Sequence, residues 1–258
     1  MDNRPIGVFD SGLGGISLLR NMRALLPREA FIYYGDETNA PYGTKSEEEI
    51  LSLSRRDVAF LLDFDVKAVV IACNTATSAA AKTLRAEMSL PIIGIEPALK
   101  PAQLERREGA IAVLATPATL RQRKFRDLMQ LYGEGAISVP CPGLMEFAER
   151  GELTGERLRM YLSRLFQPYT NAKVEAVVLG CTHYIFLKRA FGAFFPGVPL
   201  IDGNEGTVRQ LIRRLKESDL LAPQDAQGGV ELLSSGNGEA LQTMRRLLDM
   251  RETNAGKA

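Results

Sequence analysis

VVIACNTATSAA (Val69–Ala80) and VVLGCTHYIFLK (Val177–Lys188) share one plan: an apolar run, a single cysteine, small polar residues and then a helix-like stretch. The two cysteines, Cys73 and Cys181, lie 108 residues apart in a chain that has only three. A short apolar run bounded by such a turn reads as a buried strand, and a strand followed directly by a helix is the unit of a parallel α/β sheet.

The same alternation extends both ways. PIGVFD, FIYYGD, VKAVVIA and PIIGIE read as strands, separated by helices over GISLLRNMRALLP, SEEEILSLSRRDVAFLLDF and Thr75–Met88. GAIAVLAT, AISVPC, VEAVVLG and VPLID read as a second set. Their helices are ATLRQRKFRDLMQLYG (one helix stopped at Gly133), TGERLRMYLSRLFQPY and a stretch from about Tyr184. EGTVRQLIRRLKES and a helix near GEALQTMRRLLD follow, and the tail 251–258 is expected to be frayed. Helix, strand, helix and strand separate Asp10 from Cys73 and Thr116 from Cys181, which reads as an internal repeat. The expected fold is therefore α/β: two pseudo-symmetric small domains with mainly parallel sheets and the site in the cleft between them. The boundaries expected are 1–98 for the first, joined by C-terminal helices within 210–258, and 99–209 for the second.

Composition narrows the function. The chain has 258 residues, 45% hydrophobic and 24% charged, with a net charge of +1. No field of one sign points to nucleic acid or an acidic membrane surface, and RQRKFR and RQLIRRLK read as solvated helix faces. No run reaches the roughly 18 apolar residues of a membrane span, and the N-terminus lacks a signal pattern. An odd, low cysteine count argues against a disulfide framework, so the expected location is cytoplasmic. The expected partner is a small molecule. Nucleic acid and membrane are not expected, and a homodimer is left open.

Ligands of open α/β sheets sit beyond the carboxyl ends of the strands. Cys73 and Cys181 both fall there, each where a helix N-terminus is expected to favour a thiolate. Four chemistries are open to them. A metal site would draw on Cys73, Cys141, Cys181 and His183, but the spacing is not that of zinc, and no metal is expected. A redox pair needs the sulfurs to meet. A cysteine hydrolase leaves one cysteine unused. Proton removal from one face of a carbon with delivery to the other needs two matched acid/base groups. Asp10 and His183, titratable and at strand ends in opposite halves, favour the last. Ser11, Asn74, Thr75, Thr116, Thr119 and Thr182 offer neutral donors suited to a carboxylate. DSGLGG is an NH-rich turn without the lysine of a nucleotide loop.

Taken together and in order, GVFDSGLGG, APYG, CNTAT and GCTHY resemble the glutamate racemase family across the whole chain. The resemblance implies a cofactor-independent enzyme that interconverts L- and D-glutamate, the latter for peptidoglycan. It implies catalytic roles for Cys73 and Cys181, assisted by Asp10 and His183. It also implies substrate contacts from Asp10, Ser11, Tyr42, Gly43, Asn74, Thr75, Thr182 and His183. Thr116 and Thr119 resemble the family's threonine-bearing loop, and Glu149 falls near an acidic position. The resemblance departs at Ile185, where the family usually has proline. A racemase for another acidic amino acid such as aspartate, or an inactive binding or regulatory relative, is the alternative.

Overall fold

The computed structural model describes residues 1–250. The expectation of a frayed tail at 251–258 lies outside the described residues. The first half runs β1 (Ile6–Asp10), α1 (Ile16–Leu25), β2 (Ala30–Gly35), α2 (Glu47–Leu62), β3 (Ala68–Ile71), α3 (Asn74–Glu87) and β4 (Ile92–Gly94). The second runs α4 (Leu99–Glu105), β5 (Ala110–Ala115), α5 (Pro117–Arg121), α6 (Arg123–Tyr132), β6 (Ala136–Pro140), α7 (Met145–Glu149), α8 (Glu156–Phe166), β7 (Val174–Leu179), α9 (Lys188–Phe194) and β8 (Leu200–Asp202). The chain then adds α10 (Asn204–Glu217), β9 (Gly229–Ser234) and α11 (Gly238–Asp249).

Two sheets result, ordered β4-β3-β1-β2-β9 and β6-β5-β7-β8, and every pairing is parallel. Read from β2 and from β6, the orders β2-β1-β3-β4 and β6-β5-β7-β8 are the same path. β1 thus corresponds to β5 and β3 to β7. β1 and β3 are buried along their whole length because helices cover both faces, and for that reason their sequences run apolar without alternation.

Local chemistry sets the helix starts. Ser46 and Glu49 form a reciprocal capping box on α2, behind an acidic first turn that complements the helix dipole. Cys73 caps α3, its Sγ accepting from the Ala76 N–H. Thr116 caps α5 and Pro117 opens it. The single helix expected over 118–133 breaks at Gln122, which is extended (ψ 146°). The first piece is tied to the cleft through Thr116 and Thr119, whereas Phe125 of the second is buried with Ile111 and Val113 of β5. One straight helix could not serve both anchors.

The helix expected from Tyr184 begins instead as a 3₁₀ stretch, Thr182–Leu187, with α9 only from Lys188. The strand β9 went unread in the sequence: it is half exposed at the sheet edge, where an apolar run is not demanded. The expected boundary at 209/210 falls inside α10. Val208, Leu211 and Leu215 of that helix share a core with Leu18, Leu19 and Met22 of α1, so the chain returns to the first unit at Gly203. There a Cβ on Gly203 would meet the Glu96 carbonyl, so the outgoing and returning strands of chain run side by side.

Candidate active site

Parallel strands deliver their last residues to one edge, and the two edges face each other. Asp10 ends β1, Cys73 follows β3, Thr116 follows β5 and Cys181 follows β7. Side chains of the two units meet there. The Thr182 hydroxyl donates to Asp10 Oδ2 at 3.1 Å. Thr75 Oγ1 lies 3.1 Å from Thr116 Oγ1 and 3.0 Å from Thr119 Oγ1, and those two are 3.0 Å apart. Three hydroxyls in a triangle can redirect their protons together, which suits a carboxylate arriving at that point.

Each cysteine has its own partners. Cys73 Sγ lies 3.5 Å from Ser11 Oγ and accepts from the Ala76 N–H at 3.4 Å. Cys181 Sγ lies 3.8 Å from His183 Nδ1, and the other ring nitrogen, Nε2, bonds to Glu149 Oε1. Burial opposes a charge on His183, but Glu149 and Cys181 outweigh it and hold its pKa well above the usual value. As an imidazolium the ring donates from both nitrogens. The helix N-terminus expected at Cys181 is a 3₁₀ turn, so His183 replaces a helix dipole as the group beside that sulfur.

At Cys73 the expected lowering of the thiol pKa is reversed. Burial pushes it up to about 12, the Asp10 carboxylate adds to this, and the Ala76 and Ser11 hydrogen bonds do not offset it. Asp10 is itself raised to about 6, mainly by burial, with the opposing pull of His183 and its bonds from Gly12 N–H and Thr182.

Asn74 is buried at this edge with Oδ1 unpartnered. Gly43 packs so closely that a Cβ would lie 3.0 Å from Thr116 Cβ across the cleft, so any larger residue would push on Thr116. Tyr42, which the resemblance places among the substrate contacts, turns its side chain into the first unit. Its side chain is 1% exposed and its hydroxyl lies 2.7 Å from Asp36 Oδ2 and 2.8 Å from Asp57 Oδ2, inside the first unit. The hydroxyl is thereby committed within the first unit, and Gly43 is the part of this turn that abuts Thr116 of the second. Cys141 is also apart, its Sγ bonded to the Val139 carbonyl. Among the described residues, no group of three or more His, Cys, Asp or Glu could hold a metal ion.

Two further carboxylates join the site, Glu37, which went unread in the sequence, and Glu149, which only the resemblance marked. Glu149 on α7 is the partner of His183, and Glu37 follows β2 at the same sheet edge as Asp10. Burial, then the charge of Glu149, raises Glu37 to about 8. Both oxygens crowd Gly12, whose Cβ would lie 2.7 Å from Glu149 Oε1 and 3.5 Å from Glu37 Oε2. Asking which residue follows each strand would have found Glu37. Nothing periodic marks Glu149, which lies on a five-residue helix.

A family model described as Asp/Glu/Hydantoin racemase matches residues 6–211. The chain belongs to this family. It is an isomerase of the amino-acid racemase kind. It is 48% identical to a glutamate racemase of Clostridium novyi over 250 residues, 95% of this chain and 96% of that one. Among solved structures, the glutamate racemase of Thermus thermophilus, in complex with beta-chloro-D-alanine, is 36% identical with a TM-score of 0.83, covering 97% of this chain and 95% of that one. The glutamate racemase of Francisella tularensis, in complex with D-glutamate, is 28% identical with a TM-score of 0.84, covering 98% and 96%. The paired parallel sheets are those of an α/β racemase, and no helix among the described residues is long and apolar enough to cross a membrane.

Proposed function

We propose that this chain interconverts L- and D-glutamate by passing the Cα proton between Cys73 and Cys181, supplying D-glutamate for peptidoglycan. The observation that carries the reading is the pair of thiols at equivalent strand ends of the two parallel sheets, Cys181 beside His183 and Cys73 beside Ser11. A thiolate on one side takes the Cα proton. The electrons of that C–H bond pass into the α-carboxylate as an enediolate, and the thiol on the other side returns a proton to the opposite face.

The Cα proton is a very weak acid, so developing charge must meet oriented donors in a dry cleft. Asn74 and the threonine triangle are the proposed donors, with the N–H groups at the start of α3. A bound α-ammonium would put a cation beside Cys73 and pull its thiol pKa back down from the value that burial imposes. His183, held by Glu149, shares a proton with Cys181. Asp10, whose charge acts on Cys73, is the proposed proton partner on the other side. The thiols carry the proton themselves, so the proposed reaction is cofactor-independent. Free thiols at the centre of the chemistry suit a reducing compartment, and we infer a cytoplasmic location.

The test is turnover of L-glutamate and L-aspartate by dialysed enzyme in the presence of a chelator. One missing methylene is worth about 10- to 200-fold in kcat/KM, and glutamate is expected to lead by that margin. Faster turnover of aspartate would assign the alternative substrate. Activity that returned only with added metal or pyridoxal phosphate would refute the two-thiol reading.

A further inference from the structure

The Tyr42 hydroxyl has one proton but lies within hydrogen-bond distance of two carboxylates, Asp36 at 2.7 Å and Asp57 at 2.8 Å. Both contacts can be hydrogen bonds only if one carboxyl is itself a donor. The surroundings decide which. Asp36 accepts from Asn39 Nδ2 at 2.8 Å and Ser235 Oγ at 3.0 Å on one oxygen. On the other it accepts from Arg56 at 2.9 Å as well as from Tyr42. Its acceptor sites are filled. Asp57 is fully buried, its Oδ1 has no partner, and Arg56 stays 3.8 Å away.

We propose that Asp57 is a positioning residue that carries a proton and donates it to Tyr42 Oη, completing a chain from Asp57 through Tyr42 to Asp36 that holds the Tyr42–Gly43 backbone at the mouth of the cleft. This inference rests on the reading of that backbone as part of the glutamate site. The chain matters because Gly43 abuts Thr116 of the other unit, so a small shift of Tyr42 alters the contact between the units at the substrate. With Arg56 held 2.9 Å from Asp36 and 3.8 Å from Asp57, an unprotonated Asp57 would be a buried, poorly compensated carboxylate against Asp36.

The other groups facing Asp57 do not complete that compensation. Asp36 and, from further off, Asp10 and Tyr34 add negative charge or none, and only Arg56 offers a positive one. On α3, which packs against α2, Glu87 pairs with Arg55 and Arg85 bonds the Ile92 carbonyl. Burial first, then Asp36, raises Asp57 to about 7. The sign follows: below that value the chain is intact, and above it Asp57 ionises, its donated bond is lost and the loop loosens.

The test compares wild type, Asp57→Asn and Asp57→Leu with glutamate between about pH 6 and pH 9. Asparagine keeps an N–H for Tyr42 and cannot ionise, so its KM is expected to match wild type at the acidic end. The ratio of wild-type to Asp57→Asn KM should then rise about fivefold to tenfold toward the alkaline end, the cost of one buried hydrogen bond. Leucine should raise KM across the range. A ratio that stays flat, or an Asp57→Asn enzyme as weak as Asp57→Leu at the acidic end, would overturn the proposal. Infrared spectra at about pH 6 give a readout independent of turnover: the carbonyl stretch of a protonated acid should be present in wild type and reduced in Asp57→Asn. An unchanged band would also overturn it. If wild type did not turn over glutamate, the reaction assigned above would fail, while the band would still report where the proton resides.

Discussion

Replacing Cys73 or Cys181 by alanine is expected to lower kcat for glutamate racemisation by about 10⁴-fold in both directions. Each thiol is the base for one enantiomer and the acid for the other, so removing either leaves a proton without a route of departure or return. The fold should persist. Both residues sit in the cleft wall at 6% and 8% exposure, and each substitution removes a single sulfur. Retained circular dichroism and thermal transitions would separate lost chemistry from lost structure. A variant that kept a tenth of wild-type kcat would exclude its cysteine as an essential base.

The second large effect is expected from the pair beside Cys181. His183→Asn and Glu149→Gln should each lower kcat by about 10²-fold or more, within the range for general acid–base assistance. KM should change less. His183 holds its proton because Glu149 faces Nε2, and the proton at Nδ1 is the one aimed at the sulfur. Glu149→Gln removes the charge that raises the histidine, so its kcat should fall on the alkaline side first, where the ring loses its proton. Asp10→Asn should also lower kcat, through the Cys73 side of the cleft. The overall equilibrium forces equal losses of kcat/KM in the two directions, so the informative quantities are kcat and its Cα deuterium isotope effect from each enantiomer. A pure KM effect in both directions would make these residues binders only.

Much of this site was legible in the sequence because parallel α/β folds convert strand ends into neighbours. Asp10, Cys73, Thr116 and Cys181 each end or follow an apolar run, and the repeated order of strands brings them to facing edges. What the sequence hid depended on direction. No pattern around Tyr42 shows that its hydroxyl turns inward to Asp57 on the buried face of α2. The Thr75 triangle joins residues more than 40 positions apart and on different units, so no local pattern reports it. Helical spacing marked 118–133 as one element because periodicity records which residues are apolar and not whether the axis bends at Gln122. The thiolate expectation at Cys73 failed for an energetic reason. Two hydrogen bonds to a sulfur do not offset full burial beside Asp10.

The central claim is that the proton taken and the proton returned belong to different sulfurs on opposite faces of Cα. The direct measurement is the fate of solvent deuterium when L-glutamate is incubated with the enzyme in D₂O and sampled early. A thiol holds one exchangeable proton, so the sulfur that takes the Cα hydrogen can return only that hydrogen. Deuterium must come from the solvent-exchanged thiol on the opposite face. The D-glutamate formed should carry deuterium at Cα from the first turnovers, and the L-glutamate left over should remain protiated. Deuterium appearing in recovered L-glutamate as fast as in the product, or D-glutamate that retained the substrate's own proton, would show a single shared base and contradict the two-cysteine account.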